Sequence, residues 1–211
     1  VLTAGGAIFA SFPFWYATLF SGFFLPLLLI LIALIVRNLA FDYRGKKDDD
    51  TWRRNWDYAA IFGSYVPALL WGVAFANIVG GTPIEPLGDN PATPFYLEYT
   101  GFPVLQLLNP LGLLGGLVTL TLFMTHGAMF IALKTDGEIR HRARAFAVKI
   151  GLVAAVLAVA FMVWMQVKTG TVLSAVLFVV AAVALLGGIF MARAGRGGWA
   201  FIATFATIAL A

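Results

Sequence analysis

Five uncharged runs, each long enough to cross a lipid bilayer, constrain this chain more than any motif it carries. Phe14 to Val36, Tyr58 to Thr82, Thr100 to Leu133, Ile150 to Val167 and Thr169 to Ala192 contain no Asp, Glu, Lys or Arg. At about 1.5 Å per residue, even a run of ~18 residues approaches the ~30 Å hydrocarbon core. Inside lipid the backbone has no water to bond to, so each run must be helical. The chain is 61% hydrophobic and 11% charged, with a mean hydropathy of +0.92, against roughly 25% charged residues in soluble domains. The fold class is therefore all-α, a polytopic transmembrane helical bundle.

The runs and their flanks place helices over residues 14–37, 57–80, 105–134, 145–167 and 171–192. The end of a preceding helix falls in 1–12 and the start of a further one in 198–211, all within a single integral membrane domain over 1–211. Ser11 and Pro13 mark the first boundary, since Ser caps helices and Pro fits their first turn. Both ends are apolar, "VLTAGGAIFA" and "FIATFATIALA", and the chain opens on Val1, which leads us to expect a piece of a longer polypeptide.

Charge is distributed by side. Arg37, Arg44, Lys46, Lys47, Arg53 and Arg54 fall in one connection, Lys134, Arg140, Arg142, Arg144 and Lys149 in a second, Arg193 and Arg196 in a third, which is thirteen of the fourteen basic residues and leaves Lys168. The positive-inside rule then predicts loops 38–56, 134–144 and 193–197 in the cytoplasm and loop 81–103, with its five prolines, outside as an extended connector. The formal charge of +4 lies in these short loops rather than on a solvated domain, so it does not point to nucleic acid. With no cysteine, thiolate-ligated clusters and disulfides are excluded.

Candidates for chemistry are few. All ten acids fall in loops or at their edges, so there is no buried carboxylate relay. His126 lies mid-run, eight residues before Lys134, or ~12 Å inward. Gly112, Gly115, Thr119, Leu122, His126 and Met129 share its helix face, a small and polar stripe expected to meet other helices. The imidazole is open to three readings: a haem ligand, with His141 as the only other histidine; a proton or quinone contact; or a neutral ring hydrogen-bonded to a neighbouring helix. Met124, Met129, Met162 and Met165 read as packing. Ala68, Gly72 and Ala76, and the GxxxG of Gly112 and Gly116, read as contact faces. Pro67 and Asn109-Pro110 are the hints of broken helices that a solute or ion transporter, the competing function, would need. "FDYRGKKDDDTWRRNWD", with Tyr43, Trp52 and Trp56, reads as an interfacial anchor against lipid headgroups, and its three aspartates are adjacent, which rarely lets them converge on one metal ion.

The segments "TAGGAIFASFPFWYATLFSGFFLPLLLILIALIVRNLAFDYRGK", "WRRNWD", "GSYVPALLWGVAFANIVGG" and "LLNPLGLLGGLVTLTLFMTHGAMFIALKTDGEIRHRA", with a later "GGWAF", resemble subunit II of the cytochrome bd-type quinol oxidases. The resemblance runs in order along nearly the whole chain and is weakest from Val148 to Ala192. It implies a fragment of a nine-helix subunit built from two four-helix bundles plus one helix, packed against a larger subunit I that holds haem b558, haem b595, haem d and the quinol-oxidising loop. It implies a complex that oxidises quinol, reduces dioxygen to water and sustains a proton gradient across a bacterial or archaeal cytoplasmic membrane, at times with small accessory subunits. In that scheme this chain is a scaffold that binds no haem by itself, with a structural quinone in some members. The family's acidic proton-delivery motif precedes Val1 and its last helix is missing; the position of His126 also carries glutamine. No catalytic, cofactor-binding or metal-ligating residue is therefore assigned.

Overall fold

The computed structural model describes residues 2–82, 84–86, 97–99 and 103–210. In chain order these form α1 (Leu2–Ser11), α2 (Pro13–Gly22), α3 (Phe24–Tyr43), α4 (Asp50–Gly80), β1 (Ile84–Pro86), β2 (Leu97–Tyr99), α5 (Pro103–Leu107), α6 (Pro110–Lys134), α7 (Gly137–Thr169), α8 (Val172–Arg193) and α9 (Gly197–Leu210). Among the described residues, five helices are long and apolar enough to span a membrane: α3, α4, α6, α7 and α8. Their outward faces carry side chains such as Val156, Val163, Val183 and Phe190. In lipid such exposure has no hydrophobic cost, since the acyl chains are as apolar as the side chains.

The helix bounds differ from those read in the sequence, each time for a local reason. The helix expected over 14–37 is two. Phe23, at φ −93° and ψ 8°, interrupts it, three residues before Pro26, which has no N–H to give to the carbonyl of Gly22. Phe23 N still donates to Leu19 O and Leu27 N to Phe23 O, both at 2.9 Å, so the interruption is a kink. α3 then runs on to Tyr43. α4 starts at Asp50, ahead of the expected residue 57, because the Asp49 carboxylate accepts from Thr51 N at 2.8 Å and caps it. The helix expected over 105–134 breaks between Leu107 and Pro110, where Asn109 caps α6 by accepting from Gly112 N at 2.7 Å. α7 begins at Gly137 rather than 145, with its charged first turns ahead of the uncharged run. α8 carries a capping box in which Thr171 and Ser174 bond each other's backbone N–H. β1 and β2 form a short antiparallel pair, Ile84 opposite Tyr99. Most of the connector over 81–103 lies outside the described residues.

Helix α6 is the hub, packed on α4, α7 and α9, while α3 lies on α4, and α8 on α7 and α9. Small residues let the axes approach. A Cβ on Gly72 would stand 2.5 Å from Gly115 O, and one on Gly116 2.9 Å from Leu69 O. A Cβ on Gly63 would stand 2.5 Å from Ala33 O, which brings α3 onto α4 there. Between these seams lie three apolar clusters. Val118 and Leu122 meet Ala154, Ala158 and Met162 of α7 and Ala181, Leu185 and Ile189 of α8; Ala128 and Met129 meet Ala147, Ala192 and Ala200; Phe23 meets Val73, Ala74 and Leu107.

Candidate functional site

Polar side chains inside an apolar bundle survive only where their bonds are made, and two such nodes tie α6 to its neighbours. At one, α6 presents His126 to α9. His126 Nδ1 and Thr204 Oγ1 are 2.9 Å apart, and the imidazole stacks on Phe201 with ring centroids 4.4 Å apart. Thr204 Oγ1 also stands 3.1 Å from Ala200 O and 3.0 Å from Phe201 O. A hydroxyl has one hydrogen. Given to a carbonyl of its own helix, it leaves the oxygen to accept from His126, so both bonds form only when Nδ1 carries the proton. With the proton on Nδ1 the imidazole is the interhelical donor; with it on Nε2, Thr204 gives its hydrogen to Nδ1 instead.

The stripe expected from the sequence is the one that packs. Gly112, Gly115, Leu122 and Met129 are buried, and Thr119 and His126 are half-buried. Thr119 Oγ1, Thr121 Oγ1 and Thr125 Oγ1 each donate to the carbonyl four residues back, at 3.0, 2.8 and 2.7 Å, and so bring no unsatisfied hydroxyl into the core. His141 is exposed on α7, near the basic end. Met162 and Met165 are buried, the former within the α6–α7–α8 cluster.

The second node is at the opposite end of α6. Asn77, only 2% exposed, donates from Nδ2 to Val73 O at 2.7 Å and to Leu107 O at 2.8 Å. Its Oδ1 accepts from Asn109 Nδ2 at 2.7 Å, and that nitrogen also donates to Gln106 O at 3.0 Å. The break between α5 and α6 is thus stitched to α4 by two amides whose polar atoms are all engaged. Such saturation suits a latch, while Gln106 of the same break keeps its Oε1 buried without a hydrogen-bond partner. Pro67 interrupts nothing, since α4 runs through it. Asn77 was not singled out in the sequence. Its signal was a lone amide in an uncharged run, but its partner stands 32 residues away.

The loop from Asp42 to Asp57 is an ordered closure of α3 on α4. Trp52 Nε1 donates to Tyr43 O at 2.8 Å, Tyr43 stacks on Trp56, and Lys47 Nζ lies 4.6 Å from the Trp52 ring centroid. Arg44 Nε donates to Asp57 Oδ1 at 2.5 Å, and this bond raises the Arg44 pKa above its ordinary value. The three aspartates divide, Asp49 to the α4 cap and Asp48 and Asp50 to Arg53. Among the described residues no group of three or more His, Cys, Asp or Glu could hold a metal ion.

The described seams do not fit a haem. A macrocycle needs an open slot, yet a Cβ on Gly115 would lie 2.5 Å from that of Ala76, one on Gly151 3.2 Å from Thr125 Cγ2, and one on Gly188 3.3 Å from Ala200 O. One face of the His126 ring is covered by Phe201.

The donor role of His126 makes a prediction. His126→Gln is expected to keep most of the yield of intact complex, because its amide can still give a hydrogen to Thr204. His126→Leu is expected to lower that yield several-fold, leaving Thr204 Oγ1 without its donor, at about 1–3 kcal/mol. Equal yields by size-exclusion chromatography would contradict this.

The model of the cytochrome bd terminal oxidase subunit II family matches residues 1–211. The chain is 43% identical over 175 residues to a probable cytochrome oxidase subunit 2 of Haemophilus influenzae, covering 82% of this chain and 44% of that protein. It is 42% identical over 166 residues to the cytochrome bd-I ubiquinol oxidase subunit 2 of Escherichia coli, covering 79% and 42%. It is 37% identical over 218 residues to the cytochrome bd ubiquinol oxidase subunit 2 of Bacillus subtilis, covering 100% and 61%. The chain spans about half the length of these relatives. A bundle of bilayer-length helices, closed by small-residue seams and two polar latches and matched by the family model from end to end, belongs to the cytochrome bd terminal oxidase subunit II family.

Proposed function

We propose that this chain is part of the non-haem integral membrane subunit of a terminal quinol:dioxygen oxidoreductase, and that its role there is to scaffold the haem-bearing subunit I. The observation that carries the reading is the closeness of the described helix seams, where backbone oxygens stand within contact of where a glycine Cβ would be, so that these seams would not admit a haem. The haems then reside in subunit I, and the complex oxidises quinol, reduces dioxygen to water and contributes to the proton motive force. Fewer than all helices of the subunit are present, and they form part of its nine. The basic connections face the cytoplasm, in keeping with the positive-inside rule.

The test is spectroscopic. In the assembled oxidase, His126→Gln is expected to leave the reduced-minus-oxidised bands of the b and d haems at full intensity per complex. Loss of a stoichiometric haem would make His126 a ligand and overturn the reading. Copurification with a larger haem-bearing membrane subunit is the companion expectation.

A further inference from the structure

The basic end of α7 holds more positive charge than its neighbours neutralise. Arg140 and Arg144 stand four residues apart on α7, so their side chains rise from one face, where like charges repel. Arg140 Nη1 donates to Asp136 Oδ1 at 3.3 Å, but its Nε is buried with no hydrogen-bond partner. Half-buried Arg144 reaches the turn between α8 and α9, its Nη1 3.7 Å from where a Cβ on Gly195 would be. Gly195 takes φ 81° there, a left-handed conformation that ends α8 and sets Arg193 and Arg196 on either side of the turn. The turn needs no arginine to satisfy it, because Ala194 N, Gly195 N and Arg196 N already donate to Phe190 O, Ala192 O and Met191 O. Among the described residues Arg144, Arg193 and Arg196 have no ion pair or side-chain hydrogen bond, and Asp136 and Glu138 are occupied by Arg140 and Arg142.

We propose that Arg140, Arg144, Arg193 and Arg196 form a binding site for the phosphate of an anionic phospholipid at the membrane boundary. Guanidinium forks match phosphate oxygens bidentately, and an orphaned buried donor asks for an acceptor. The surroundings favour a lipid over a free anion. Trp199, 63% exposed, stands three residues beyond Arg196, at the depth where indoles meet headgroups, and Phe190, 72% exposed, lies one turn into the apolar zone, where acyl chains run. The connection between α3 and α4 is more nearly neutralised. There Arg44 and Arg53 are paired with Asp57 and with Asp48 and Asp50.

The experiment is native mass spectrometry of the purified complex containing the full-length subunit, equilibrated with equimolar phosphatidylglycerol and phosphatidylcholine. The wild type is expected to retain phosphatidylglycerol selectively. The Arg144→Gln/Arg193→Gln/Arg196→Gln variant should retain it roughly tenfold less. Lys46→Gln/Lys47→Gln/Arg54→Gln, with the same change of charge in the other connection, should lose distinctly less. Should the triple variant fail to assemble, Arg193→Gln/Arg196→Gln, which alters only two exposed side chains, carries the measurement and is expected to show a smaller loss. Equal retention of both lipids, equal losses in the two sets of variants, displacement of the lipid by excess inorganic phosphate, or loss of a partner polypeptide with lipid retention unchanged would each overturn the proposal.

Discussion

Asn77→Leu is expected to destabilise the subunit by about 3 kcal/mol and to lower the unfolding temperature of the detergent-solubilised complex by several degrees. Leucine is close in size to asparagine, so the cost is electrical rather than steric. It strands Leu107 O and one hydrogen of Asn109 Nδ2, two groups that the wild type pairs at 2.8 and 2.7 Å, in a place where water is not at hand. Val73 O loses only a supplementary donor, since it keeps its helical partner. Asn109→Leu should cost a similar amount, by removing both the α6 cap and the bond to Asn77. The double variant should cost clearly less than the sum of the two, because each single change already breaks the shared bond. Additive losses in thermal unfolding would show that the two amides act independently and would remove the latch from the account of this fold.

Gly72→Val should be comparably damaging for the opposite reason. Its Cβ would stand 2.5 Å from Gly115 O and from Thr119 Oγ1, and neither the carbonyl nor the β-branched side chain can retreat without parting α4 from α6. Overpacking of this kind costs about 1–3 kcal/mol in soluble cores. Here it also opens the seam that holds the second node, so the upper end of that range is expected, with loss of assembled complex as the readout. Gly127→Ala, on the facing helix α6, is the control. A Cβ there meets nothing within 4 Å, and the better helix propensity of alanine should leave stability unchanged or raised by less than about 1 kcal/mol. If both variants assembled like wild type, close approach of α4 and α6 would not be what glycine provides at position 72.

The architecture was legible where physics is repetitive. Uncharged runs locate spanning helices because an unpaired charge in lipid costs several kcal/mol, and the stripe through Gly112 and His126 was readable because helical spacing fixes a face. Three things were hidden. The kink at Phe23 follows from Pro26, but a single proline within a leucine-rich run does not announce whether the helix bends or ends. The extension of α4 to Asp50 depends on which of three successive aspartates caps it; Asp49 does so, while Asp48 and Asp50 pair with Arg53. The buried face of α6 also includes Leu111, Gly116, Val118, Thr121, Thr125, Ala128 and Ala132, wider than any one stripe, because three helices pack on it. Of the candidate groups, His126 was found by its chemistry. Thr204 and Asn77 were not, since a threonine or an asparagine gains meaning only from the atom it faces.

The order of hydrogens between α6 and α9 bears on how the two helices stay joined when the charge of the ring changes. With the ring hydrogen on His126 Nδ1, it goes to Thr204, whose own hydrogen goes to a backbone carbonyl of α9. A further proton arriving at the ring would settle on Nε2, on the far side from Thr204. In that tautomer the join between the two helices keeps the same donor and the same acceptor when the ring takes up a second proton, so the fastening of α6 to α9 does not depend on the charge of the ring.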